Sequence, residues 1–178
     1  YYAAANNAGD GDVNMWKVDT SDNIVPGATV DHSGQTLEMG DSMPSTDVRC
    51  TVYLGSNQNN LTDSNWTTVE LDTEEFDSGG DFDNSTNYNF TAPVAGFYEV
   101  SYSLNWRSSD MVADKIYAAR IRNTTQSRDE MQCDSHSSSA SGGLTCSQSK
   151  VVELAQNDAI ELQAIHVAGN NIQDINSG

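Results

Sequence analysis

At 178 residues the chain can hold one domain of ordinary size, or a small domain with an arm, and can bury a core. Apolar residues make up 37% of it, and no apolar run approaches the roughly 20 residues a spanning helix needs, which argues against membrane insertion. Its 26 acidic residues against 8 basic ones give a net charge of -18, which repels nucleic acid and anionic lipid, so neither is expected as a partner.

The charge comes from 18 Asp and 8 Glu set against only 3 Lys and 5 Arg. Abundant acid with scarce lysine suits strong brine, where molar salt shortens the screening length to about 3 Å and removes the self-repulsion. The plainer alternative is an acidic extracellular protein. The first residues, Tyr1 to Asp10, carry neither a charged start nor an apolar signal core, and a processed N-terminus is consistent with the missing Met.

Taken in chain order, Val13 to Val18 reads as a short strand and Asp22-Asn23 as a turn. Residues 31–47 are polar and turn-rich, so residues 1–47 read as an N-terminal arm with one small hairpin, followed by a head over residues 48–178. Strand signals then recur at Cys50 to Leu54, Thr67 to Leu71 and Asn87 to Thr91. Pro93 and Gly96 punctuate the approach to the strongest of them, Gly96 to Trp106. There Tyr98, Val100, Tyr102, Leu104 and Trp106 fall on one face and are expected in the core. Phe97 falls on the other face, too apolar to be left wet.

Further strands are expected at Ile116 to Arg122, Lys150 to Leu154 and Ala159 to Val167. Asn157 and Asp158 stand between the last two and tolerate a left-handed backbone, so Lys150 to Val167 reads as an antiparallel hairpin. No window shows helical spacing with a cap and a stop. The expectation is an all-β sandwich or barrel.

Three cysteines are too few for a disulfide framework or a four-thiolate zinc site. Cys133 and Cys146 bracket a Ser/Gly segment that cannot pack a core of its own, and a bridge between them is expected. Cys50 reads as a small buried thiol.

Several pieces together resemble the C1q-like domain. The run Asn87-Tyr-Asn-Phe-Thr-Ala-Pro-Val-Ala-Gly-Phe-Tyr-Glu-Val-Ser101 is similar to the family's central signature. Trp66-Thr-Thr-Val-Glu-Leu71 and Phe76-Asp-Ser-Gly-Gly-Asp-Phe82 resemble its opening strand and its "FD..G.FD" approach. Ser149 to Leu162 resembles its "S..L.L..GD.V.L" segment, with Asn157 where glycine is usual. The resemblance implies a ten-stranded C1q/TNF-like jelly-roll sandwich, usually a homotrimer, used for recognition rather than chemistry. In detail it resembles heads found on viral fibres and surface spikes. The family's final apolar strand through the sheet centre has no counterpart before Asn176-Ser-Gly178. That leaves two readings open: an incomplete chain, or a strand supplied by another chain through β-augmentation.

His32, His136 and His166 have no metal-type spacing, and the Ser, His and Asp around His136 lack a nucleophile elbow. His166 reads as a half-buried strand residue. The acidic cluster Asp72, Glu74, Glu75, Asp77, Asp81 and Asp83 includes Asp77, Asp81 and Asp83 as calcium candidates, although its spacing is not that of an EF-hand and a solvated acidic face is preferred. No other cofactor and no catalytic residue is expected.

Five N-glycosylation sequons begin at Asn60, Asn65, Asn84, Asn89 and Asn123, with Asn60 and Asn123 favoured as loop sites. Phe97 is the expected trimer contact. Loops 57–65, 107–114 and 134–145 are the expected binding surfaces.

These readings converge on a non-enzymatic structural and recognition protein at a virion surface or cell surface, a trimeric spike, turret or fibre head from a halophilic system. Its arm would join a larger capsid, tail or surface assembly, and its loops would meet a host surface glycan or protein. The alternative is a subunit of a cellular extracellular filament or adhesin joined by strand donation.

Overall fold

The structure, a computed structural model, describes residues 28–30, 36–38, 48–138, 143–169 and 173–177. The chain divides into two compact units, Tyr1–Thr46 and Asp47–Gly178. In the first, β1 (Ala28–Val30) pairs antiparallel with β2 (Thr36–Glu38). The strand expected at Val13 to Val18, the turn at Asp22-Asn23 and His32 lie outside the described residues.

The second unit holds β3 (Cys50–Tyr53), β4 (Gln58–Leu61), β5 (Thr67–Thr68), β6 (Thr73–Asp77), β7 (Phe82–Asp83) and β8 (Asn89–Thr91). After these come β9 (Gly96–Trp106), β10 (Ile116–Asn123), β11 (Arg128–His136), β12 (Leu144–Leu154), β13 (Ala159–Val167) and β14 (Gln173–Ile175). A single 3-10 turn, Ser108–Asp110, interrupts the strands among the described residues. No helix of the described residues is long and apolar enough to cross a membrane.

One sheet runs β12-β9-β14-β4, and the other β11-β10-β13-β8-β7, with β5 also on β13. β3 and β6 form a separate ribbon. All pairings are antiparallel, and the two faces that meet give a jelly-roll sandwich.

The alternation that predicted a strand at Gly96 to Trp106 is realised along its whole length. Leu104 and Trp106 are fully buried, and meet Tyr117, Ala119, Ile121, Ile160, Leu162 and Ala164 from the opposite sheet. Tyr98, Val100 and Tyr102 face the same way but are only half-buried, and they line a cavity. Trp106 packs edge-on to Tyr117 with ring centroids 5.2 Å apart, within the usual aromatic range.

The expected hairpin over Lys150 to Val167 is not formed. β12 pairs with β9 along its full length, whereas β13 pairs with β10, β8 and β5 in the other sheet. The turn between them bridges the sheets. Asn157 does adopt the left-handed backbone, at φ 69°. Asp158 then accepts from the Ala155 N–H at 3.0 Å and from Asn123 and Gln126, tying the corner to the β10–β11 loop. Each strand presents its apolar face to the sandwich interior, and that is satisfied equally well across two sheets as within one.

Candidate functional site

The outer face of β9 and β12 carries residues that a monomer does not bury. Phe97 is 77% exposed and Val151 59%. Phe97 stands opposite Glu153 and Glu99 opposite Val151, so the two apolar residues are diagonal neighbours on one face. Farther along, hydroxyls line the same face: Ser147 Oγ is 2.9 Å from Ser103 Oγ, and Thr145 donates to Asn105 Oδ1 at 2.9 Å. The sequence pointed to Phe97 and missed Val151. The signal was present, since of the consecutive Val151 and Val152 a strand can bury only one.

β9 also lines a cavity of about 550 Å3, together with residues of β3 and with Ile175, Asn176 and Ser177. β14 meets the end of β9, with Ile175 opposite Trp106. There Arg107 N–H donates to Asp174 O and Asn176 N–H to Asn105 O, each at 2.9 Å. The Arg107 guanidinium also holds the Asp174 carboxylate at 2.7 Å, pinning β14 there.

Cys133 and Cys146 come together but are not bridged: both thiols are free. They lie on β11 and β12, in different sheets, and the Cys146 Sγ contacts the Cys133 carbonyl oxygen at 3.5 Å. Burial pushes the Cys146 thiol up to about 12, with the neighbouring Cys133 thiol adding to the shift. The intervening segment is shorter than expected, because 134–136 belong to β11 and 144–145 to β12. Its residues 139–142 lie outside the described residues. Cys50 is half-buried, and its thiol is likewise raised, to about 11, by desolvation and by Asp77, Asp81 and Glu74.

Within the acidic cluster, Asp77 and Asp83 are spent on turns. Asp77 accepts from the N–H groups of Gly79, Gly80 and Phe82 at 3.2, 3.1 and 2.9 Å, and Gly80 takes φ 70° to allow it. Desolvation raises Asp77 but these hydrogen bonds outweigh it and lower it, while desolvation and Asp77 itself raise Asp81. Asp83 accepts from Ser85, Thr86 and Asn87 backbone N–H groups, which draw it down to about 2. Among the described residues no three His, Cys, Asp or Glu side chains gather as metal ligands, so the three calcium candidates do not form one site.

One favoured glycosylation site is overturned. Asn123 is fully buried, its side-chain amide donating to Asp158 Oδ2 at 3.1 Å, and its Oδ1 accepting from Gln126 N–H. The nitrogen a glycan would need is inside the protein. Asn60 is exposed but sits on β4 at φ 59°, not in a free loop. Asn65 is exposed, Asn84 is half-buried, and Asn89 is a half-buried member of β8.

His166 is fully buried rather than half-buried. Its Nε2 lies 2.9 Å from the Leu61 carbonyl, its Nδ1 3.4 Å from Asp63 Oδ1, and its ring stacks on Tyr117. It fastens β13 to the segment after β4. His136 is exposed on β11, opposite Ile116 of β10, so β10 separates the two histidines.

Residues 52–177 match the family model for the C1q domain. No curated protein matches. Among solved structures the chain is similar to the globular domain of the zebrafish complement 1qA protein, at 18% identity and a TM-score of 0.46, covering 71% of this chain and 94% of that one. C1q domains are commonly homotrimeric and typically serve extracellular recognition or structure rather than catalysis. With the family model spanning most of its length, the chain belongs to the C1q-domain family.

Proposed function

We propose that the chain is a non-enzymatic structural and recognition protein whose head self-associates into a trimer through the outer face of β9 and β12. The observation that carries this reading is the exposed pair Phe97 and Val151 on a sheet face. Large apolar side chains grouped on a flat strand surface mark an interaction site, and a closed ring of copies buries each patch in the same way. The arm, residues 1–47, then joins the head to a larger capsid, tail or surface assembly. The loops are left to meet a host glycan or protein. The -18 charge fits a virion-surface spike, turret or fibre head in a brine habitat, where screening permits three acidic heads to approach.

The test is the pair Phe97→Glu and Val151→Glu, both outward-facing and outside the core. Each should reduce the species in light scattering from three times the 19.2 kDa chain mass to a single chain, with the circular-dichroism spectrum unchanged. A trimer that survives both substitutions removes this face from the assembly.

A further inference from the structure

The sheet built on β10 and β13 carries an aromatic ring on its outer face. Trp66 stands one residue before β5, and Arg120 lies on β10, with β13 between them. Ala119 and Ile121 face the core, so Arg120 projects outward. The two side chains meet over β13, with the Arg120 guanidinium carbon 4.0 Å from the ring centroid. Trp66 is half-buried, lies outside the core cluster and, among the described residues, stacks on no other ring. Its indole N–H donates to no protein group among the described residues and is open to solvent, unlike that of Trp106, which is sealed in the core. With one face on the guanidinium, the ring has its opposite face and its N–H edge to offer a partner.

The polar side chains around the ring are fixed before any ligand arrives. Arg120 Nε donates to Gln163 Oε1 at 2.8 Å, and Asp129 accepts from Arg120 at 3.1 Å and from Arg122 at 2.8 Å. Glu161 Oε1 accepts from Thr68 Oγ1 at 3.2 Å and from the Gln163 amide. Bonding capacity is left over: among the described residues Glu161 Oε2 and the other guanidinium N–H groups of Arg122 have no partner. The two arginines and two carboxylates balance, so this network is uncharged on a chain of net charge -18. An aromatic face beside pre-set amide, carboxylate and guanidinium groups matches the two sides of a pyranose ring. Its polarised C–H face stacks on the indole, and its neighbouring hydroxyls bond in pairs to the planar groups. Other occupants fit less well. β13 is paired on both edges, to β10 on one and to β8 and β5 on the other, so an extended peptide finds no free edge there. An anion finds both arginines engaged by Asp129.

We propose that this face, centred on Trp66 and flanked by Glu161, Gln163 and Arg122, binds a neutral saccharide. The inference rests on the recognition reading above and deepens it, placing the contact on a sheet face rather than on the loops. The face lies on the opposite outer side of the sandwich from Phe97 and Val151, because β10 and β13 turn their other face inward to β9 and β12. A trimer built on Phe97 leaves three such faces outward, and three weak sites on one assembly hold a glycan-covered surface far more tightly than one. Stacking and hydrogen bonding also persist at high ionic strength, where charge attraction is screened.

The test uses full-length protein made without N-glycosylation, since Asn65 begins a sequon beside the ring. The probe is an array of neutral hexose and N-acetylhexosamine oligosaccharides, with sialylated and sulfated glycans for comparison. Wild type should be retained on at least one neutral glycan, and Trp66→Ala should lose about tenfold of that retention or more. Glu161→Gln, which keeps the side chain's size, should lose a smaller part. In a solution titration with the retained glycan, the indole N–H resonance of Trp66, identified by its absence in Trp66→Phe, should shift while that of Trp106 stays fixed. This reads the site in the wild-type fold, so the test stands even if Trp66→Ala fails to fold. In Phe97→Glu the indole shift should persist while array retention falls, because only avidity is lost. Retention on no neutral glycan, or on acidic glycans alone, would overturn the saccharide assignment and leave the trimer standing. Undiminished retention by Trp66→Ala, with the wild-type indole unshifted, would overturn this site while the recognition reading stands. A wild type that stays a single chain yet shifts its Trp66 resonance would support this site and remove the trimer.

Discussion

Asn123 donates its side-chain amide to Asp158 Oδ2 at 3.1 Å, both residues being buried at the corner where the chain passes from β12 to β13. The pair joins the β10–β11 loop to the crossover, and Gln126 completes it at 2.9 Å from Asp158 Oδ1. Removing Asn123 takes one donor from the buried Asp158 and leaves the Gln126 N–H without its acceptor, which costs about 1–3 kcal/mol. Asn123→Ala should therefore lower stability by that amount in urea denaturation, and Asn123 should carry no glycan when the chain is made in a glycosylating host. A glycopeptide containing Asn123 from folded protein would contradict this geometry.

The same corner carries a pH dependence. Hydrogen bonds from Gln126, Ala155 and Asn123 outweigh desolvation and hold Asp158 below its ordinary value, and Asp83 is drawn to about 2 by its own loop. For a depressed carboxylate the stabilisation is present above the unfolded value and is lost as pH falls through the folded one. Thermal melting should therefore shift downward from about pH 4 toward pH 2. Asp158→Asn and Asp83→Asn should both flatten that slope. A wild-type melting temperature constant over this window would remove the role given to these turns.

Cys133 and Cys146 face each other from opposite sheets, and joining them closes a short segment between β11 and β12. Such a bridge stabilises by about 2–3 kcal/mol through the unfolded chain. Mild oxidation should form it, detectable as a mass loss of two hydrogens and a raised denaturation midpoint, and Cys146→Ala should abolish both. Formation should be slow in the native state, because a thiol raised to about 12 holds almost no thiolate at neutral pH. The raised thiol also has a sign: stability from the neutral form is full below the unfolded value near 9 and falls as pH rises toward the folded value of about 12. Rapid alkylation of Cys146 in folded protein would contradict its burial.

Arg107 and Asp174 tie β14 to the end of β9 at 2.7 Å, with Asp174 also accepting the Asn60 N–H. The Arg107 side chain is 45% exposed, so solvent screening limits the ion pair to about 1 kcal/mol. Asp174→Ala should leave the global fold in place and free β14, seen as faster amide exchange at Ile175 and Asn176 with little change in melting temperature. Unchanged exchange at these two residues would show that β14 is held by other contacts.

Much of the head was legible because its strands alternate cleanly. Tyr98 to Trp106 and Ile160 to Ala164 could be buried in only one register, and the structure uses it. Partnership was not legible. The Asn157-Asp158 turn permits a hairpin and an inter-sheet corner alike, and only the packing of β12 on β9 decides between them. β11 escaped notice because Met131 and Cys133 are its only apolar residues between Arg128 and His136, and its buried Glu130 is matched by Arg128 and Asn123. Asn123 was misread for the same reason: a sequon states local chemistry, while burial is a property of the tertiary corner.

The most direct test of the account is the mass of the wild-type chain in solution by light scattering, in about 2–3 M salt and again at low salt, where the screening length differs several-fold. The account predicts a self-associated species, built on three chains, that holds in brine and weakens on dilution of the salt as the -18 charges repel. A single chain at both salt concentrations would contradict the self-association and the brine argument together.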